Sequence, residues 1–514
     1  MRGSQEAFEE ISPADFFYRN RDIAGFQNPS RAIYSTVREL VENSLDACES
    51  IGVPPDIRIQ ISEENVQTPE GVGTYRIRVE DNGAGVPREH IPQAFGQILY
   101  GSKYRLKQLR GTFGLGGKMS ILYAEITTNK PAKIVSSTGG SKIHDYELMI
   151  DIQANKPKII RHRALSNSKR WRGTIVELMT QGDYARAQSK ILEYLKQTAI
   201  VVPYADITCT DPEGVVHRFE RATSTMPKLP TEALPHPQGM NVEGLKRIIA
   251  VTKTTTLIDF MTAHFQRVGE TTAKRFLAYA NMNSRKNPKK LSADEVVQLA
   301  NAMATFDGFI SPDASCLSPL GEKLLEAGIR KQLEPEFVAV VQRKPSSYSG
   351  FPFIVEVGLA YGGKIPPTGG VSLYRFANKI PLLFDEASDV SRKVINELVN
   401  WRQYKVTPET PAAAFVHIAS LKIPYKTVGK EFIADRPEVE REILFGLREA
   451  GRRLSVYLSR RIHMEHEKRR LEVFEKYLPQ IAAFATKLAK KKTEPDIKPL
   501  LKDVAKHGYE DAED

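Results

Sequence analysis

The sequence predicts an α+β protein of several domains, and three observations support this fold class. The chain has 514 residues, enough for three or four domains at about 150 residues each. Helical and strand-like periodicities alternate in its N-terminal region and again after residue 313. A long helical pattern then begins near Pro437.

The N-terminal region has the pattern of a mixed α/β layer. We expect a helix over Pro29–Ser50 and strands at Asp56–Ser62, Thr74–Glu80, Ala124–Thr128 and Gly173–Leu178. Apolar residues at three- and four-residue steps indicate the helix, and alternation with a period of two indicates the strands.

A helical block and a second α/β region follow the proline-rich linker at Met226–Gly239. The block covers Asn241–Asp307. In the second α/β region we expect strands at Phe337–Gln342, Phe353–Leu359, Val371–Ala377 and Ala412–Ser420, with a helix at Val390–Arg402. The last helix, over Pro437–Lys492, carries an apolar stripe typical of a core-facing or coiled-coil seam. The stripe consists of Ile443, Leu447, Ala450, Leu454, Leu458 and Ile462.

The composition favours some partners and argues against disulfide, zinc and membrane-spanning segments. The formal net charge of +11 favours a polyanionic partner, although many basic proteins have none. The three cysteines are far apart and form no CxxC pair, which argues against a disulfide framework or a zinc site. No apolar run of about 18 residues is present, so we expect no membrane span. The isolated cysteines favour an intracellular, reducing location.

Three segments of the N-terminal region carry polar residues suited to a ligand. In Arg38–Ala47, Glu39 and Asn43 are four residues apart and share one helix face. A second segment, Asp81–Gly85, places a carboxylate and two glycines at the end of a strand, where backbone can approach a ligand closely. Taken singly, the first segment is also consistent with a solvated helix face and the second with an ordinary turn.

The third segment, Gly111–Ser120, has four glycines and a lysine before an apolar run. Backbone N–H groups at the start of a helix bind phosphates, so this segment is a candidate phosphate cradle. It lacks the GxxxxGK[ST] spacing of a Walker A loop and the surroundings of a Rossmann fingerprint. A flexible loop is the alternative interpretation.

The order of these segments resembles the GHKL ATPases, a group that includes gyrase-type topoisomerases, MutL, the ninety-kilodalton heat-shock chaperone and histidine kinases. A fourth piece, Gly173–Thr174, matches that group's third conserved box. The resemblance implies a Bergerat-type α/β sandwich that binds ATP with Mg²⁺. It also implies that Glu39 acts as the general base, a residue that histidine kinases lack here, so hydrolysis is expected.

The resemblance further implies the roles of the remaining site residues. Asn43 would bind Mg²⁺, Asp81 would accept a hydrogen bond from the adenine amino group, and Thr174 would support it through water. Gly85 would allow close approach of the nucleotide. The lid residues expected around ATP are Ser102, Lys103, Gly111, Thr112, Phe113, Gly114, Leu115, Gly116, Gly117 and Lys118.

The chain resembles the B subunits of type IIB DNA topoisomerases (topoisomerase VI) over essentially its whole length. Three segments carry this resemblance: FFYRNRDIAGFQNPSRAIYSTVRELVENSLDA, the lid GTFGLGGK and HIASLKIPYKTVGKE. This family implies an N-terminal strap, a GHKL ATPase domain, an inserted helix–two-turn–helix domain, a transducer of the ribosomal-S5-like type, a stalk helix and a tail. The corresponding limits are 1–18, 19–228, 229–312, 313–436, 437–492 and 493–514. The inserted block is alternatively a simple spacer bundle.

The family also implies a transducer lysine that reaches the γ-phosphate of ATP. Within His417–Lys426, Lys422 is the first choice and Lys426 the second, and a surface role for either is the alternative. A lysine suits such a sensor because its flexible stem delivers a point charge.

The resemblance implies that DNA cleavage is carried out by a separate A subunit, and that the protein acts in a prokaryotic cytoplasm near the nucleoid. In keeping with this, the sequence has no Asp-x-Asp motif and no tyrosine in a recognisable catalytic setting. The implied assembly is an A2B2 heterotetramer in which ATP brings two B protomers together around double-stranded DNA. Lys286, Lys289 and Lys290 are candidate DNA contacts. A MutL-like repair ATPase and an ATP-dependent clamp without topoisomerase activity are the alternatives.

Overall fold

A computed structural model describes residues 10–65, 72–101, 106–111, 115–426, 431–491 and 495–500. Its described part contains an eight-stranded sheet with helices, a block of four helices, and a six-stranded sheet on which the last long helix packs. These bodies do not by themselves test the domain limits given above, which stay predictions.

The first sheet is built almost entirely from antiparallel neighbours. Its strands are β1 (Asp56–Asn65), β2 (Gly73–Asp81), β3 (Ala132–Thr138), β4 (Lys142–Asp151), β5 (Lys156–Ser166), β6 (Arg172–Gly182), β7 (Asp206–Thr210) and β8 (Val216–Phe219). They lie in the order β5-β4-β3-β6-β2-β1-β7-β8, and β1 and β7 form the parallel pair. In β2, alternate residues from Gly73 to Asp81 are buried, so one face of the strand meets the helices.

The helices of this unit are α1 (Pro13–Arg19), α2 (Pro29–Glu49), α3 (Ile91–Gly96), α4 (Gly116–Thr128) and α5 (Tyr184–Val201). Helix α2 begins where the Asn28 side chain accepts a hydrogen bond from the Arg31 N–H at 2.8 Å, with Pro29 in the first turn. It packs against β2, β6, α4 and α5, which is why most of its apolar residues are buried.

The prediction of a strand at Ala124–Thr128 is wrong, because these residues form the end of α4. The segment Ala-Glu-Ile-Thr-Thr alternates apolar and polar residues over its first four positions and is rich in β-branched residues, a pattern that also fits a strand. The packing of α4 against α2 and β6 makes it a helix.

The four-helix block has a core of its own. Its helices are α6 (Val242–Val251), α7 (Leu257–His264), α8 (Glu270–Tyr279) and α9 (Ala293–Thr305). Phe260 and Phe276 are fully buried between them. Helix α9 starts with a capping box, in which Ser292 and Glu295 each bond the other's backbone N–H.

The second sheet begins after α10 (Glu322–Leu333). Its strands are β9 (Phe337–Gln342), β10 (Ser346–Tyr348), β11 (Phe351–Tyr361), β12 (Ser372–Ala377), β13 (Ile380–Pro381) and β14 (Ala412–Ser420). Helix α11 (Val390–Lys393) lies between β13 and β14, and α12 (Pro437–Leu488) follows the last strand. The order is β10-β11-β14-β12-β13, with β9 also on β11 and with β12 parallel to β14. All of β14 is buried, as expected for a central strand covered on both faces.

The helix predicted at Val390–Arg402 is only partly correct. Helix α11 ends at Lys393 and passes into a π-helical turn at Val394–Leu398. Val399 is extended, and a 3-10 turn follows at Trp401–Tyr404, fastened by a 2.8 Å hydrogen bond from the Trp401 indole to the Ile395 carbonyl. This indole bond folds the chain back instead of letting the helix continue.

Helix α12 has 52 residues and is therefore about 78 Å long. Its stripe from Ile443 to Leu458 is buried against β9 and β11, but the predicted last member, Ile462, is 43% exposed. The apolar stripe on the sheet therefore ends one turn earlier than predicted. No helix in the described part of the chain is long and apolar enough to cross a membrane.

The two α/β units share one continuous core where α10 packs against α5. Gly328 of α10 lies so close to α5 that a Cβ atom there would be 1.9 Å from the carbonyl oxygen of Ile200.

We expect Gly328→Ala to lower the free energy of unfolding by about 1–3 kcal/mol, because neither backbone can yield freely. Denaturant unfolding measures this, and Gly140→Ala is the control, since its Cβ meets nothing within 4 Å. Equal stability of the two variants would contradict this packing.

Candidate nucleotide-binding site

Helices α2, α3 and α4 and strands β2 and β6 enclose a cavity of about 620 Å³, within the usual range of small-molecule sites. Ten of the residues predicted from sequence line it: Glu39, Asn43, Asp81, Gly85, Gly111, Leu115, Gly116, Gly117, Lys118 and Thr174. Segments far apart in the chain therefore meet at one place. The predicted lid residues Ser102, Lys103, Thr112, Phe113 and Gly114 lie outside the described residues.

Asp81, at the end of β2, is the buried carboxylate of the cavity. Its oxygens accept hydrogen bonds from the Ser44 hydroxyl at 3.0 Å, the Gly83 N–H at 2.9 Å and the Thr174 N–H at 3.2 Å. Burial raises the pKa of Asp81 to about 6, although these donors oppose the shift. At neutral pH the group is a fixed hydrogen-bond acceptor facing the cavity.

Two glycines allow the strands beside Asp81 to come together. Gly85 has a φ of +69°, and a Cβ there would lie 2.1 Å from the carbonyl oxygen of Ser137. Gly173 has a φ of +146°, and its Cβ would lie 2.0 Å from the carbonyl oxygen of Asp81. Backbone this close leaves room only for glycine, so both positions are required by the shape of the site.

The start of α4 lies directly against the polar face of α2. A Cβ on Gly116 would be 1.5 Å from Oε2 of Glu39, and one on Gly117 would be 2.9 Å from Nδ2 of Asn43. The N–H groups at a helix start have no partner within the helix and carry partial positive charge. The cavity thus places a carboxylate, an amide and a helix N-terminus side by side.

Lys118, in the first turn of α4, is buried, and its ammonium group donates a hydrogen bond to the carbonyl oxygen of Tyr100. Tyr100 itself lines the cavity. A lysine held at this point adds a full positive charge to the helix N-terminus.

Sequence reasoning missed Arg38, which also lines the cavity. Its guanidinium lies 2.7 Å from Glu39 and 3.6 Å from Glu42. Burial lowers the pKa of Arg38, but the two carboxylates outweigh burial and hold it above the ordinary value. The available signal was Arg38 beside Glu39 and one turn before Glu42, a pattern that also fits a surface ion pair.

Four other lining residues, Phe17, Ser44, His90 and Tyr100, were also not predicted. Phe17 comes from the segment assigned to the strap. Here Ser12, which caps α1, donates a hydrogen bond from its hydroxyl to the Ile152 carbonyl of the same chain. Residues 1–9 of the predicted strap lie outside the described part, so the assignment of residues 1–18 as a strap stays a prediction.

The predicted γ-phosphate lysines do not line this cavity. Lys422 is exposed, with its ammonium 5.0 Å from the centroid of the Phe351 ring. Lys426 is also exposed. Of the candidate DNA contacts, Lys289 and Lys290 are exposed, whereas Lys286 pairs with Glu295 at the start of α9.

Comparison with known proteins adds independent findings. Residues 28–150 match the model for the histidine kinase-, DNA gyrase B- and HSP90-like ATPases, and residues 312–470 match the model for the topoisomerase VI B subunit transducer. The B subunit of type 2 DNA topoisomerase 6 from Pyrobaculum aerophilum is 43% identical, over 94% of this chain and 89% of that protein. The protein of the same name from Metallosphaera sedula is 43% identical over 93% and 90%.

The chain belongs to the family of type 2 DNA topoisomerase 6 B subunits. It is thus an ATP-hydrolysing subunit of a type IIB topoisomerase, with a GHKL-type ATPase unit followed by a transducer. The predicted fold class and the predicted function as the ATP-hydrolysing B subunit of a type IIB topoisomerase are confirmed, and the MutL-like and clamp alternatives are set aside. The predicted DNA gate stays a prediction. The solved structure of the 43K ATPase domain of Thermus thermophilus gyrase B is also similar, with a TM-score of 0.40 and 13% sequence identity. The match covers 93% of this chain and 98% of that one, but a similarity this low adds nothing to the findings above.

Gly85 provides a test of how the topoisomerase 6 B subunit shapes its site. A side chain at this left-handed position costs about 1–3 kcal/mol, and here it also meets the Ser137 carbonyl. We expect Gly85→Ala to weaken ATP binding on the order of tenfold or more and to lower the melting temperature. Titration calorimetry with ATP measures the first effect. Gly101→Ala is the matched control, because Gly101 lines the same cavity with nothing within 4 Å of its Cβ, and equal losses in both variants would contradict the argument.

Proposed function

We propose that ATP bound in this cavity closes two B subunits into a gate that traps duplex DNA. The gate times double-strand cleavage, passage and religation by two A subunits in an A2B2 heterotetramer, so that DNA is relaxed or decatenated. The observation that carries the proposal is the meeting of Asp81, Glu39, Asn43 and the N-terminus of α4 around one cavity.

Adenine would occupy the side of the cavity near Asp81. The Ser44 and Gly83 donors hold the carboxylate in place, and a remaining lone pair can accept from an exocyclic amino group. Thr174 would contribute through a bridging water, since its hydroxyl is already 3.1 Å from the Ser136 hydroxyl. The close approach of Gly85 leaves space for the ring.

The phosphates would lie at the start of α4, where Gly116, Gly117 and Lys118 supply N–H groups and a positive charge. Asn43 is the side chain that would bind Mg²⁺. In the described residues no cluster of three carboxylate, histidine or cysteine side chains could hold a metal, which fits an ion bound mainly by phosphate oxygens and one protein group. When bound, Mg²⁺ neutralises charge on the phosphates.

Glu39 would orient and deprotonate the attacking water. Its carboxylate faces the start of α4, where the phosphates would lie, and Arg38 holds it at 2.7 Å. Arg38 is a positioning residue in this scheme, because it fixes the carboxylate without itself entering the reaction.

The transducer lysine would contact the γ-phosphate when the units close. The segment around Lys426 lies beside α2, since Arg31 of α2 forms an ion pair with Glu431, five residues after Lys426. Lys422 instead lies over Phe351. This arrangement favours Lys426, with Lys422 as the second choice, as the lysine that senses ATP.

Duplex DNA would be held mainly through its phosphates, because a topoisomerase recognises crossings rather than sequence. The net charge of +11 supports this. The exposed Lys289 and Lys290 are better candidates for contacts with DNA phosphates than Lys286, because Lys286 already forms an ion pair with Glu295.

The decisive test is Glu39→Gln in the complex with an A subunit. Loss of a general base slows catalysis by about 100- to 10,000-fold, so ATP turnover and ATP-dependent relaxation of supercoiled DNA should fall together while ATP binding persists. The matched control is Glu42→Gln, which removes a carboxylate from the same Arg38 outside the cavity and should keep most turnover.

Normal turnover in Glu39→Gln would refute its role as base. If the unaltered complex hydrolysed ATP but failed to relax DNA, the gate would be refuted and the ATPase retained.

Asp81 predicts a pH dependence of adenine recognition. The ionised carboxylate accepts the amino group, whereas the protonated acid loses that acceptor, so binding should be full above the pKa of about 6 and weaken below it. Well below that pH the loss should approach tenfold per pH unit. Adenosine is the probe, because it has no phosphates that titrate in this range. Asp81→Asn should bind weakly at every pH, and a flat profile in the unaltered chain would contradict the assignment.

A further inference from the structure

The segment just before the glycine loop is held by residues from outside the first sheet. We call Leu106–Arg110 the lid stem. The Leu106 carbonyl accepts from the Ala233 N–H at 2.9 Å. The Gln108 side chain donates to the Ser318 carbonyl at 3.2 Å and accepts from the Ser318 N–H at 2.7 Å. The lid stem is therefore anchored to the chain that leads into the transducer.

The turn between β12 and β13 of the transducer contacts the lid stem at one further point and the end of α2 at another. The Asn378 side chain donates to the Leu109 carbonyl at 3.3 Å and to the Ser420 carbonyl at 2.9 Å. The Lys379 ammonium lies 3.2 Å from Oε2 of Glu49, whose Oε1 accepts from Arg110 at 2.6 Å. One turn thus contacts both the lid stem and the end of α2.

This turn has an unusual backbone. Asn378 and Lys379 both have positive φ values, 48° and 64°, and they join paired residues Ala377 and Ile380 as a two-residue hairpin. Such turns favour Asn followed by Gly. A lysine here is strained, and Lys379 is also only 4% exposed. Glycine at this position would relieve the backbone strain, so the presence of a lysine points to a function for its side chain.

The charges around the lid stem are balanced across the two units. Arg110 bonds Asp46 at 3.0 Å and Glu49 at 2.6 Å, with its side chain 2% exposed. Burial raises the pKa of Glu49, but Arg110 and Lys379 outweigh it and lower that pKa to about 2. Removing one member leaves a buried charge without its counterpart, which is costly. Lys379 is the member that comes from the transducer.

We propose that Asn378 and Lys379 form a clamp that couples the position of the lid stem to the orientation of the transducer. This inference rests on the proposed function, in which ATP bound in the cavity closes the gate. The lid stem runs directly into Gly111, which lines the cavity. A shift of the stem on ATP binding would therefore reach Asn378, and the turn would pass it to β14 through Ser420, two residues before Lys422. The two residues are positioning residues, because they touch neither nucleotide nor DNA.

Because of the clamp, the lid stem and the transducer would change position together, in a single conformational equilibrium. A ligand shifts a conformational equilibrium only through contacts that differ between the two states. Here the differing contacts are the hydrogen bond to Leu109 and the ion pair to Glu49. ATP would shift the lid stem, and the clamp would pass that shift to the transducer.

The test compares three variants in the complex with an A subunit. Asn378→Gly removes the amide and suits the left-handed backbone, so it isolates the hydrogen bond from strain. Lys379→Met removes the charge but keeps the stem. Lys364→Met is the matched control, because it removes an exposed transducer lysine that pairs with Glu334. For each variant we measure relaxation events per ATP hydrolysed and the melting temperature.

We expect Asn378→Gly and Lys379→Met to lower relaxation per ATP by about tenfold, a typical strength of site-to-site coupling, while Lys364→Met leaves it unchanged. A packing role alone would lower the melting temperature and leave this ratio intact. That result in a folded Asn378→Gly variant would overturn the clamp, even if Lys379→Met failed to fold. Absence of relaxation in the unaltered complex would instead refute the proposed function.

Discussion

The burial of α2 is the constraint on which the rest of the structure depends. The helix packs on β2 and β6 and beneath α4 and α5, so its rotation about its own axis is fixed. A fixed helix with a period of 3.6 presents Glu39 and Asn43 to the cavity, and one to two turns later it presents Asp46 and Glu49 to Arg110. The cavity and the contact with the transducer are therefore both set by the packing of one helix.

Part of this arrangement could be predicted because its signals are local. The strands Phe337–Gln342 and Ala412–Ser420 have the bounds expected from sequence, since apolar runs between turn residues define them. The cavity residues were found through the order of short motifs. The prediction of a strand at Ala124–Thr128 failed because this segment alternates apolar and polar residues and is rich in β-branched residues, so its local signal fits a strand although its packing makes it a helix.

Contacts made across the fold were beyond prediction. Nothing near Lys379 in the sequence announces Glu49, which lies 330 residues away and becomes a neighbour only when the two units pack. Arg38 was overlooked because an Arg-Glu pair on a helix is usually a surface feature. The same limit applies to Lys422 and Lys426, whose contacts depend on how the transducer lies against α2.

The ion pair between Glu49 of α2 and Lys379 of the transducer suits a contact that, in the proposed function, has to change. Buried ion pairs gain little net stability, because desolvation offsets much of the attraction, but they are strongly disfavoured when one partner is displaced. The apolar contact of α10 with α5 holds the two units together regardless of small rotations. The Glu49–Lys379 pair instead fixes one orientation at small net gain. In the proposed gate, ATP-driven closure would therefore have to break a specific geometry at the Glu49–Lys379 pair, not a large apolar surface.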